Sequence, residues 1–144
     1  MTRLDLDTAN TIVSAALHKA REMQTAPLAV AVLDDTGQLK AFQREDNTSL
    51  MRADIAIGKA WGAVGMGFSS RRLGKAAVER PHFVQALTTV ANGRLVPVPG
   101  GVLIRDDTKT IIGAVGISGD TSDIDEECAV AGIEATGFIA DTSA

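Results

Sequence analysis

Along the first part of the chain the apolar positions recur at helical spacing. Ala9, Ile12, Val13, Ala16, Leu17, Ala20 and Met23 fall on one side of a 3.6-residue period. That pattern predicts an amphipathic helix, with Asp7 as its N-cap and with Thr11, Ser14, His18 and Arg21 on the polar side. Pro27 lies at its end or just beyond. The pattern then changes. Residues 28–34, LAVAVLD, are a continuous apolar run too short for most helices and rich in valine, which predicts a buried strand. Asp35-Thr36-Gly37 supplies a turn, and residues 38–44, QLKAFQR, set Leu39 and Ala41 against Lys40 and Phe42 as the second arm of a hairpin.

After a polar loop at residues 45–49, a helix is predicted from Leu50 to about Met66. It is crowded with small residues: Ala53, Ala56, Gly58, Ala60, Gly62, Ala63 and Gly65. An interior glycine costs a helix ~1 kcal/mol against alanine, so several together predict another backbone pressed against it. A shorter helix runs from about Ser70 to Arg80, stopped by Pro81. Phe83, Ala86, Leu87 and Val90 mark a further one, closed by Asn92-Gly93.

The stretch from Leu95 to Glu127 organises the rest. It reads as a strand bent at Gly100-Gly101, a polar turn at Asp106–Lys109, a second strand at Ile111–Ser118, and a glycine loop dropping into an acid-headed helix. That last helix is predicted from about Asp123 to Ile139, with Ile124, Cys128, Ala131, Ala135 and Phe138 as its stripe. Leu95–Val98 offers a further strand. Hairpins alternating with runs of helix predict the α+β class, an antiparallel sheet with helices packed on it. No repeat or linker interrupts residues 1–144, which are expected to form one domain.

Composition narrows the partners. A chain of 144 residues with 45% apolar and 22% charged content can bury a sizeable core. The net charge of −4, with Arg71-Arg72 only a pair, argues against nucleic acid, whose phosphates call for a basic field. The segment MTRLDLDTANT is acidic where a secretion signal is basic and then apolar, and no run nears the ~18 apolar residues of a membrane span. A single cysteine, Cys128, makes no internal disulfide. These features predict a cytoplasmic protein.

Candidate chemistry is sparse. His18 reads either as a solvent-facing helix residue or as an iron or haem ligand, since neutral imidazole is a common axial ligand. His82, after Pro81, reads as surface. Asp123, Asp125, Glu126 and Glu127 complement the dipole of the helix they open, each contributing roughly 0.3–1 kcal/mol, or else gather a hard cation or iron. Cys128, on the apolar stripe, reads as a core thiol. The Pro99-Gly100-Gly101 and Ser118-Gly119 loops match no phosphate or dinucleotide fingerprint. No reaction follows from these residues.

Four motifs in order carry a resemblance: AVAVLDDTGQLKAFQRED (29–46), ADIAIGKAWGAV (53–64), the PGGVLIRD loop and strand, and GAVGISGDTSDIDEECAVAG (113–132). Together they resemble the haem-binding and haem-degrading family that includes the GlcG and HbpS proteins and the C-terminal domain of PduO. The resemblance implies a profilin-like α+β fold, an antiparallel sheet of about five strands with helices on both faces. It also implies homo-oligomers from dimer to octamer, and haem, a related tetrapyrrole or iron as ligand. Gly100-Gly101 match the family's double glycine, and Asp125 and Glu126 its acidic pair. A first-helix histidine such as His18 is the kind of residue that haem-binding members use. The leading expectation is a cytoplasmic accessory protein binding haem or a small ligand, with His18, Gly100 and Gly101 toward the cofactor and His18, Asp125 and Glu126 toward metal. The alternatives are an enzyme acting on a small catabolic intermediate beside Gly100-Gly101, and a ligand-free structural or regulatory subunit.

Overall fold

The computed structural model describes residues 2–144. Ten elements follow one another: α1 (Leu6–Met23), β1 (Ala29–Asp34), β2 (Leu39–Arg44), α2 (Arg52–Met66), α3 (Ser70–Glu79), α4 (Pro81–Val90), β3 (Gly101–Arg105), β4 (Ile111–Ser118), α5 (Ser122–Glu134) and β5 (Ile139–Asp141). The strands form one sheet in the order β2-β1-β4-β3-β5, antiparallel throughout. This is the expected α+β architecture. Both predicted hairpins are present, and the second places β4 at the centre of the sheet.

Alternation along the strands sorts their side chains between two faces. Val30, Val32, Val102, Ile104, Val115 and Ile117 join Ile12, Val13 and Ala16 of α1 and Cys128, Ala129 and Ile133 of α5 in the larger core. The opposite face carries smaller residues. Ala29, Ala31, Leu33, Leu103 and Ala114 meet Ala56, Ala60 and Ala63 of α2. Gly116 belongs to that face as well, because a Cβ there would run into the Ala56 carbonyl. Small groups on both partners bring the α2 backbone down onto the sheet.

Three boundaries differ from the sequence reading. Asp5, not Asp7, caps α1, its carboxylate accepting from Thr8 N–H at 2.7 Å. The reason lies one residue earlier: buried Leu4 and Ala9 both enter the core, and this staple fixes the start of the helix. Leu95–Val98 is not a strand, for it lies across the helices. Gly58 admits Arg94 O and Val96, Gly62 faces Leu95, and Gly74 faces Pro97 O. The helix expected to reach Ile139 stops at Glu134, where Gly137 (φ 83°) turns the chain into β5. The Arg105 Nε donates to Asp141 at 2.7 Å and pins that edge strand.

Candidate functional site

His18 stands on the outer face of α1 with its side chain 83% exposed, its Nε2 3.8 Å from Glu22. Beside it α1 and α5 come close, because Gly132 leaves room for Ile12 O and the Ala16 Cβ. The crossing leaves a shallow depression of about 570 Å³ lined by Thr11, Ser14, Ala15, His18, Lys19, Ala131 and Ala135. Its floor is methyl groups, with an imidazole and an ammonium at the rim. His82 is exposed in the first turn of α4.

Gly100 and Gly101 are buried and face the Lys59 side chain of α2. A Cβ on Gly100 (φ 122°) would lie 2.8 Å from Lys59 Nζ, and one on Gly101 would strike the Lys59 carbonyl. The doublet is therefore the gap through which Lys59 crosses from α2, on one face of the sheet, to α5 on the other. There Nζ donates to Ile117 O at 2.8 Å and to Asp125 Oδ2 at 3.1 Å. Asp125 Oδ1 accepts from Asp120 N–H at 3.0 Å. Both side chains are almost wholly buried, at 2% and 1% exposure. Desolvation holds Lys59 below the ordinary lysine range and Asp125 above the ordinary carboxylate range, with their mutual attraction opposing both shifts.

Glu126, next in sequence, points elsewhere. It receives Arg71 Nε at 3.0 Å, and Arg71 also reaches Asp123. The two carboxylates are thus divided between different cations. Among the described residues, no three His, Cys, Asp or Glu side chains come together to hold a metal ion. Cys128 is buried, and desolvation followed by the nearby Asp125 and Glu127 charges pushes its thiol up to about 11.

The third feature was not foreseen from sequence. A recess of about 540 Å³ lies between the β1–β2 turn, the outer side of α2 and the Asn92–Val96 segment. Trp61 forms its wall, with the Arg94 guanidinium stacked 3.8 Å from the ring centroid. Lys59 and Trp61 lie within the ADIAIGKAWGAV motif, but no chemical fingerprint singles out either of them or Arg94. The one signal was a lysine standing in the small apolar run AIGKAWGA.

Fold and site together define an α+β protein with helices on both sheet faces, a buried cross-sheet ion pair and two open recesses. The family model described as haem degrading protein HbpS-like matches residues 4–134, and the chain belongs to that family. Among solved structures it is similar to a PduOC:heme complex, with a TM-score of 0.87 and 26% identity, covering 97% of this chain and 99% of that one. It is also similar to HbpS of Streptomyces reticuli, solved as a double mutant, with a TM-score of 0.79 and 26% identity over 94% of this chain and 88% of that one. Klebsiella pneumoniae ORFY matches with a TM-score of 0.84 and 25% identity over 95% of this chain and 93% of that one. The corrinoid adenosyltransferase PduO of Citrobacter freundii is 27% identical over 86% of this chain, which spans 36% of that protein's length. No helix among the described residues is long and apolar enough to cross a membrane.

Proposed function

We propose that this chain binds haem or a related flat tetrapyrrole on the α1–α5 face, with His18 as the iron ligand. The observation that carries the reading is the likeness to a haem complex over 97% of the chain, together with an exposed imidazole at the rim of a methyl-floored depression. The residues present fit the group. Ala15, Ala131 and Ala135 would offer the apolar surface that a porphyrin face requires, and Lys19, 3.6 Å from Glu22, would offer a positive charge to a propionate. The depression is shallow, so it covers one porphyrin face only. A second copy of the chain would cover the other face, which favours at least a dimer, while the range up to an octamer rests on the family resemblance alone. In this reading the protein is a cytoplasmic accessory to other enzymes.

Haemin titration of the purified chain tests it. Wild type is expected to develop a saturable Soret band, and His18→Ala to lose or shift it and to bind about tenfold or more weakly. Unchanged spectra in His18→Ala would remove His18 as ligand, and no Soret change in wild type would end the haem reading.

A further inference from the structure

We propose that the recess beside Trp61 is a second binding site, for a small organic monocarboxylate. Arg94 takes the carboxylate, and Trp61, Ile55, Ile57 and Leu39 take the hydrocarbon body. The volume, about 540 Å³, is that of a small-molecule pocket. Three segments remote in sequence build it, two of them through glycine. Gly37, at φ 81°, lays the β1–β2 turn against the indole, with its Cβ direction 3.5 Å from Trp61 Cδ1. Gly58 brings the Arg94 backbone onto α2, where a Cβ would stand 2.6 Å from Arg94 O.

Arg94 is held from two sides. Its guanidinium stacks on Trp61 at 3.8 Å and its Nε donates to Ala91 O at 3.0 Å. Its two terminal nitrogens have no hydrogen-bond or ion-pair partner among the described residues. A planar fork fixed in this way is pre-organised for bidentate carboxylate recognition. Asp54 lines the same recess and has no cation paired with it among the described residues. Its negative charge works against a second carboxylate or a phosphate dianion, which is why the class is monocarboxylate. The site lies on the α2 side of the sheet and is independent of the haem reading.

Trp61 is the sole tryptophan, so its emission reports on this recess directly. Haem-free protein is titrated with cyclohexanecarboxylate and, separately, with its neutral counterpart cyclohexylmethanol. Saturation-transfer NMR on the ligand serves as a second readout. The carboxylate is expected to give a saturable change and the alcohol to bind about tenfold more weakly or worse. Arg94→Gln is expected to weaken the carboxylate about tenfold and Arg94→Lys by less, both with an unchanged haemin titration and with a melting temperature lowered by only a few degrees through the lost stacking contact. Asp54→Asn is expected to bind the carboxylate at least as well as wild type. The proposal is overturned if neither readout saturates with the carboxylate, if the alcohol binds equally, or if Arg94→Gln binds like wild type.

Discussion

Lys59 and Asp125 are the residues on which most of the interior polarity turns. Each would be costly to bury alone, and each finds its partner only because two glycines leave a channel across the sheet end. Removing one partner leaves the other charge buried without its counter-ion. Lys59→Met is therefore expected to cost roughly 3–5 kcal/mol in urea unfolding, and the pair Lys59→Met with Asp125→Leu less than the sum of the two single changes. A Lys59→Met protein as stable as wild type would show that the pair contributes nothing. From sequence, Asp125, set apart only with Glu126 as the acidic pair of the resemblance, read as one of four acids heading a helix. Its neighbours Asp123 and Glu126 are that, engaging Arg71 at the surface, whereas Asp125 faces inward. Adjacent positions on a helix are separated by about 100°, so one residue of rotation divides a surface ion pair from a core one.

At the scale of elements, the glycines of α2 and β4 separate into those that packing requires and those it does not. The crowding of small residues in α2 did announce a close neighbour. Gly58 and Gly62 face the Arg94–Val96 segment, and Ala56 presses on Gly116 of β4. Gly65 has nothing within 4 Å of its Cβ direction. Gly65→Ala is accordingly expected to stabilise the protein by about 0.5–1 kcal/mol through helix propensity alone. Gly116→Ala meets a backbone carbonyl and is expected to destabilise by about 1–3 kcal/mol or more. Chemical denaturation of the two variants checks both, and the same sign for both would refute this packing account. The element that the pattern missed, β5, was hidden because Phe138 and Ile139 continue the apolar stripe of α5. Only Gly137 marks the break.

For the whole molecule, the carboxylates of turns and caps set the response to acid. Asp34 and Asp106 accept from the N–H groups and hydroxyls of their own turns, while Asp5 caps α1. Asp120 receives Ala26 N–H, and Asp141 receives Ser143 and Arg105. All five are held below the ordinary value of 3.8. Above 3.8 their stabilisation is fully present, and it is lost as the pH falls through their lower folded values, because the unfolded chain then takes up protons first. Asp125, raised by desolvation, runs in the opposite direction. With five groups against one, the urea midpoint is expected to fall between pH 5 and pH 3, an interval roughly bracketing the usual carboxylate range. A flat or rising midpoint over that interval would contradict the assignment.

Periodicity and turn chemistry are local, and they were sufficient to determine the helices, the two hairpins and the α+β class. The recess at Trp61, the channel for Lys59 and the inward turn of Asp125 each join residues more than 30 positions apart. Which distant side chains meet depends on how closely helix and sheet approach, and that distance was decided only when glycine met backbone in the folded core.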